Sequence, residues 1–260
     1  ESRSFAFLPD HLVEQAGGLF GHFLTRLAPL ACELEVAIAG FHELGGYLTT
    51  LDAVRRPGVA DALLDFVDAR RDGGSLSDVW AGNERVQIIH GDCKVNNLLF
   101  DPVAERAMYV VDLDTLMWGR PSWDFGDLVR SVCAGSEEAQ GVAGLSWSRI
   151  EAVSRGFFAA FLRGRSRQER SVVEPFGEPI AAFAEAPAHM SFMLGVRFLA
   201  DHLDGDRYFK VAAAGQNLAR AQAQFSLARA LDAVSGRLAE RIGELLEQDH
   251  EGSFSIRPTQ

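Results

Sequence analysis

Lysine is almost missing from this chain. Of 25 lysines and arginines only Lys94 and Lys210 are lysines, so arginine serves nearly everywhere a cation is needed. Positive charge as a whole is short. The 36 acidic residues leave a net charge of −11, which argues against nucleic acid or an anionic membrane as a partner. Cysteine is limited to Cys32, Cys93 and Cys133, an odd and sparse count that fits reduced thiols and a cytoplasmic location. The seven histidines and three cysteines show no zinc-ligand spacing. No apolar run nears the roughly 18 residues that span a bilayer. No signal-peptide pattern, internal repeat or low-complexity tract is present. What remains is an ordinary globular composition, 47% hydrophobic and 23% charged, in 260 residues. A chain of that size can bury roughly three quarters of its unfolded surface.

Hydrophobic periodicity divides the chain into helices around a small β patch. Residues 4–8, SFAFL, read as a short strand, and Asp10 as the cap of a helix over 11–28 that carries Leu12, Ala16, Leu19, Phe23 and Leu27. Helices are expected over 42–54 and 58–71, parted by Pro57-Gly58 and closed by Gly73-Gly74. The period then changes. VQIIH (86–90), NLLF (97–100) and MYVVD (108–112) are β-type runs between polar turns. After Pro121 helices return, over 146–163, 188–203 and 216–248. The Arg-, Glu- and Pro-rich stretch 164–187 reads as a mobile connection, and 249–260 as a frayed tail. The fold class expected is α+β, mostly α-helical.

The chemistry is concentrated in HGDCKVNNLLFD, His90 to Asp101. Asp92, Lys94 and Asn97 have the spacing of a kinase catalytic loop. Phosphoryl transfer needs a carboxylate to take the proton of the attacking hydroxyl, a cation beside the moving phosphoryl group and an oxygen ligand for Mg²⁺. Those three residues offer each in turn. YVVDLDT places Asp112 after an apolar run, 15 residues beyond Asn97, where a second hard oxygen ligand would sit. Asp114 is open between a water-bridged metal contact and a turn residue. His90 reads as structural, at the end of a buried strand, and Cys93 as a small filler rather than a nucleophile.

With YVVDLDT beside HGDCKVNNLLFD, the chain resembles the aminoglycoside/choline-kinase-like phosphotransferase superfamily, and within it N-acetylhexosamine 1-kinases. VVDLDTLMWG, WDFGDLVRS, GVRFLADHLDGDRYFK and NLARAQAQF extend the likeness to about residues 90–225. The resemblance implies a protein-kinase-like C-lobe over 10–248 with added C-terminal helices forming the acceptor pocket. It implies Asp92 as base, Asn97 and Asp112 as Mg²⁺ ligands, and Asp124 as a brace of the catalytic loop. Arg197 and Tyr208 resemble residues that line the sugar and phosphate pocket. Taken alone they read as a helix-surface arginine and a half-buried tyrosine. Lys210 reads as a solvated lysine. Trp118, where relatives often carry proline, bears on which sugar is accepted. ATP is the implied co-substrate.

A kinase of this kind also has an N-lobe, with a phosphate-covering loop, a strand lysine and a helix glutamate. No lysine precedes Lys94, Gly17-Gly18 and Gly45-Gly46 lie in helical contexts, and SFAFLPD looks like the hinge itself. Residues 1–9 are therefore read as a hinge-strand remnant, and the chain, which starts at Glu1, as a C-lobe without its N-lobe. An uncovered N-lobe surface would favour a homodimer. Two further readings stay open. One is a kinase for another small alcohol, such as an aminoglycoside or choline. The other is a non-catalytic module that binds sugar or a partner, which would have no need of Asp92, Lys94, Asn97 and Asp112 together.

Overall fold

The structure is a computed structural model and describes residues 2–5, 7–35, 37–72, 87–133, 145–163 and 174–248. It is mostly helical with small antiparallel sheets, as the periodicity predicts. In chain order the elements are α1 (Asp10–Leu27), α2 (Leu44–Val54), α3 (Asp61–Asp72), β1 (Gln87–Ile89), β2 (Leu98–Asp101), β3 (Arg106–Val110), β4 (Met117–Gly119), α4 (Pro121–Cys133), α5 (Trp147–Leu162), α6 (Ile180–Leu203), α7 (Gln216–Asp232) and α8 (Ser235–Glu247). Among the described residues no helix is long and apolar enough to cross a membrane. Gly73-Gly74 and the tail 249–260 lie outside the described residues.

Two crossings position everything else. Glycines let α1 and α5 touch backbone to backbone. A Cβ on Gly156 would fall 1.9 Å from the Glu14 carbonyl oxygen, and one on Gly17 would fall 2.1 Å from that of Val153. The core stripe of α1 is Leu12, Val13, Ala16, Phe20 and Leu24, with Leu19 and Phe23 only half-buried. The stripe is thus rotated from the one periodicity suggests. Its glycine side carries no hydrophobic signal, although it is where α5 packs. The second crossing sets α4 on α6, where Gly126 abuts the backbone of Ala186. Phe125, Phe157, Phe158 and Phe183 meet there with ring centroids 5.0–6.4 Å apart.

The hydrophobic interior forms two main clusters. The larger joins α1, the strands, α4, α5 and α8. The smaller joins α2, α3 and α7 through Leu51, Leu64, Val67 and Phe225, against Phe192, Val196 and Leu199 of α6. Helices α6 and α7 serve both, α6 giving Phe183, Ala184 and Ala188 to the first and α7 giving Leu227 and Leu231.

The β patch is two separate two-stranded sheets. In one, Ile88 of β1 faces Trp118 of β4. In the other, β2 and β3 pair with a register shift at Leu99/Phe100.

Four sequence expectations change. The strand read over 4–8 shrinks to a single bridge, Arg3 with Phe100. Phe5 turns edge-on to Phe100, Leu8 enters the core, and Pro9 has no N–H with which to extend a ladder. Asp10 does not cap α1. Pro9 is the cap residue, and the Asp10 carboxylate pairs with Arg149. Of the connection 164–187, residues 164–173 lie outside the described residues, while 180–187 are the first turns of α6, which runs through Pro187. The helix expected over 216–248 breaks at Ala233–Val234 into α7 and α8. Asp232, held by Arg70, ends the first, and the Ser235 hydroxyl donates to its carbonyl (2.8 Å).

Candidate active site

The segment His90-Gly91 leaves β1 with every backbone group engaged by a side chain. Asp124, in the first turn of α4, accepts from the N–H of His90 (2.7 Å) and of Gly91 (2.9 Å). The Thr115 hydroxyl donates to the His90 carbonyl (2.9 Å), and His42 Nε2 to the Gly91 carbonyl (2.5 Å). Gly91 sits at φ +80°, and a Cβ there would meet the Thr115 carbonyl oxygen at 2.5 Å. Only glycine fits both the left-handed backbone and the close approach.

His90 couples this segment to the strand beyond. Its Nδ1 accepts from the Asp92 N–H (3.2 Å), so Nε2 carries the proton and donates to the Val111 carbonyl (3.0 Å). Burial lowers its pKa and keeps the ring neutral. His90 and Asp124 thus meet through the backbone of the segment that leads to Asp92.

Asp92 follows. Its Oδ2 accepts from Lys94 Nζ (2.5 Å) and Asn97 Nδ2 (2.9 Å), and the same Asn97 amide donates to the Asp92 carbonyl (2.8 Å). Burial pushes the Asp92 carboxyl up. Lys94, Asn97 and Arg130 outweigh it and hold the pKa below the ordinary carboxylate value. Asp92 is therefore ionised at neutral pH, with a free lone pair for a proton. With its nitrogen spent on Asp92, Asn97 points its amide oxygen elsewhere, and that oxygen takes no hydrogen bond from a described residue. Asp112 is exposed, at a left-handed φ of 66°.

No cluster of three or more His, Cys, Asp or Glu residues among the described residues could hold a metal by itself. One amide oxygen and one carboxylate suit Mg²⁺, which is usually held by one or two protein oxygens plus phosphate oxygens and water.

Asp92 and Lys94 line a cleft of about 240 Å³ whose lining also includes Arg197 and Tyr208. Four of the residues predicted from sequence thus meet in one cavity, although more than a hundred positions separate the pairs. Asn97 and Asp112 lie outside its lining. So does Trp118, whose indole N–H donates to the Cys32 carbonyl (3.2 Å). Lys210 is exposed, as read. Asp114 is exposed inside the 3₁₀ turn Leu113–Thr115. Cys93 is fully buried, and burial raises its thiol pKa well above the ordinary value, which suits a filler.

Sequence reasoning missed His42, Asp127 and Arg130 in the same lining. Asp127 and Arg130 could have been found. Asp124, Asp127 and Arg130 recur every three residues, and such spacing puts them along one face of a helix. Asp127 and Arg130 pair at 2.8 Å. His42 gives no such signal. It is a buried histidine at φ +65° in a loop, stacked on Phe41 at 4.1 Å.

Asp124 carries a pH prediction. Burial raises its pKa, the two backbone donors oppose that, the Asp127 and Asp92 charges reinforce it, and the result is about 7 against an ordinary 3.8. The folded protein keeps a proton that the unfolded chain releases earlier. The contribution to stability is full below the unfolded value and is lost as pH rises through about 7. Asp124→Asn cannot titrate. The stability of the native protein relative to this variant, from urea midpoints, is expected to fall between pH 5 and pH 8, by at most about 1.4 kcal/mol per pH unit. A difference that stays level or grows over that range would mean that Asp124 is ionised throughout.

The description of a phosphotransferase enzyme family, APH, matches residues 2–172. Among solved structures, a choline/ethanolamine kinase family protein from Mesorhizobium loti is similar, with a TM-score of 0.54 and 16% sequence identity. The match covers 92% of this chain and 68% of that one, and at such identity it speaks for the fold alone. That family match spans more than half of the chain: the chain belongs to the phosphotransferase enzyme family.

Proposed function

We propose that this chain carries the acceptor and phosphoryl-transfer chemistry of a small-molecule kinase that uses Mg²⁺·ATP, with an N-acetylhexosamine or similar sugar as acceptor. The observation that carries the reading is the Asp92 carboxylate, held ionised by Lys94 and Asn97 at the wall of a cleft faced by Arg197. Asp92 takes the proton of the acceptor hydroxyl. The hydroxyl oxygen forms a bond to the γ-phosphorus, and the bond to the bridging oxygen breaks, leaving its electron pair on ADP. Lys94 offsets charge on the moving group. Asn97 and Asp112 would hold Mg²⁺, which neutralises phosphate charge when bound.

Arg197 favours a neutral, oxygen-rich acceptor. Its guanidinium lies 5.0–5.9 Å from the ring centroids of Phe41, Tyr47, Tyr208 and Phe209. A ring cluster of this kind would otherwise suit a quaternary ammonium. Here the protein's own cation occupies it, and its N–H groups seek oxygen acceptors such as an N-acetyl carbonyl or sugar hydroxyls. An amino-alcohol acceptor is the second reading, favoured by the Asp92 and Asp127 carboxylates on the same cleft.

Phosphorus NMR with Mg²⁺·ATP, on this chain joined to the N-lobe that the resemblance implies, separates the two. With N-acetylglucosamine or N-acetylgalactosamine a new sugar-1-phosphate signal is expected, with no phosphocholine when choline is supplied. Phosphocholine alone would overturn the sugar assignment, and a phosphate elsewhere on the sugar would overturn the anomeric one.

A further inference from the structure

The turn that carries Tyr208 and Phe209 is wrapped around one buried carboxylate. Asp201 stands in the last turn of α6 and is 7% exposed. An acid there opposes the helix dipole, and a buried charge is costly unless it is fully hydrogen-bonded. Both oxygens are indeed satisfied twice. Oδ1 accepts from the N–H of Arg207 (2.9 Å) and Tyr208 (2.7 Å). Oδ2 accepts from the N–H of Phe209 (3.0 Å) and from Asn217 Nδ2 (2.8 Å). The turn reaches them through two left-handed residues, Gly205 (φ +91°) and Asp206 (φ +57°). Asn217 ties Asp206 as well (2.9 Å), and Arg220 joins Asn217 Oδ1 to the Lys210 carbonyl. Asp201 itself is not part of the cleft lining.

We propose that Asp201 is a positioning residue for the acceptor: by gathering three consecutive N–H groups, it fixes Tyr208 and Phe209 over Arg197 and so sets acceptor affinity. This rests on the kinase reading above. A residue that merely stabilised the helix end would need one or two of these bonds and would leave acceptor affinity alone. Here two of the four donors, Tyr208 and Phe209, line the cleft, and the others are the adjoining Arg207 and the Asn217 side chain that anchors the turn. The cost of placing an acid at this helix end is offset by order in a turn that is otherwise exposed, since Tyr208 is 67% exposed.

Asp201→Asn tests this, because the amide keeps the size but presents donors to backbone N–H groups. Two measurements are read together, hydrogen exchange on this chain and kinetics on the chain joined to the N-lobe that the resemblance implies. In amide hydrogen exchange, Arg207, Tyr208 and Phe209 are expected to exchange roughly 100-fold faster, with α1 and α5 unchanged. In kinetics, KM for N-acetylglucosamine is expected to rise at least about tenfold, with kcat and KM for Mg²⁺·ATP nearly unchanged. Native-like protection of those three amides overturns the proposal. So does a loss shared equally by kcat and both KM values. If Asp201→Asn does not fold, Asn217→Ala, which keeps the carboxylate and removes its side-chain partner, is expected to move both readouts the same way by less. No shift in that variant would overturn the proposal. Native protein inert toward N-acetylhexosamines would count against the substrate reading instead, and exchange at the three amides would still decide the role of Asp201.

Discussion

Asp92→Asn is expected to slow phosphoryl transfer by roughly 10²–10⁴-fold, the usual worth of a positioned general base. The substitution suits the site. The oxygen of the new amide can take the place of Oδ2 and keep the hydrogen bonds from Lys94 and Asn97. The loop is pinned from behind by Asp124, Thr115 and His42, so its backbone does not depend on the Asp92 charge. What disappears is the lone pair that receives the hydroxyl proton. The loss should therefore fall on kcat, with acceptor KM within a few-fold of native. Initial rates from phosphorus NMR check it. Near-normal turnover would remove Asp92 from the chemistry, and a matching rise in KM would assign it to binding. The pH profile adds a second constraint. Because the folded pKa is held below the ordinary value, Asp92 remains ionised through the neutral range. Its acid limb should appear only as pH drops beneath the usual carboxylate range.

Gly156→Ala is expected to destabilise the fold without touching the cleft. The added methyl would lie 1.9 Å from the Glu14 carbonyl oxygen and 2.8 Å from the Gly18 nitrogen. Both are backbone atoms of a helix, so no rotamer change relieves the contact. The α1–α5 crossing must open, and Gly17 and Gly21 hold the same distance from the other side. Overpacking of this kind costs roughly 3 kcal/mol. For a domain of this size that lowers Tm by about 6–12 °C. Circular dichroism melts of Gly156→Ala and Gly45→Ala make the comparison, since a Cβ on Gly45 meets nothing within 4 Å. The second variant should melt at or slightly above the native temperature, as alanine is the better helix former. Equal melting points would mean that the crossing yields.

The two halves of the site were unequally legible. The phosphate half is local. His90, Asp92, Lys94, Asn97 and Asp112 fall within 23 consecutive residues, and the chemistry dictates their types, so spacing alone brings them together on the page. The acceptor half is assembled from distant positions. Arg197 and Tyr208 were reached through family likeness, because an arginine on a helix and a tyrosine in a turn carry no signal of their own. His42 and Asp201 act through backbone groups of other segments, and no side-chain pattern records that. The fold shows the same divide. Long amphipathic stretches such as Trp147–Leu162 were clear. The α1–α5 seam was not, since glycine seams are silent in hydrophobic periodicity. The break at Ala233–Val234 was also missed, because apolar spacing continues across it.

The division of the interior into two main clusters has an evolutionary corollary. The loop bearing Asp92 is founded on the cluster of α1, α4 and α5, while Phe198 and Phe209, beside Arg197, belong to the cluster of α2, α3 and α7. On the proposed reading, substitutions in the second cluster that are distant from Asp92 and share no partner with it would retune which alcohol is received and leave phosphoryl transfer nearly undisturbed. One scaffold can then diversify its clientele by drift in a single compartment. Helices α6 and α7, shared by both, are where such drift would be most constrained.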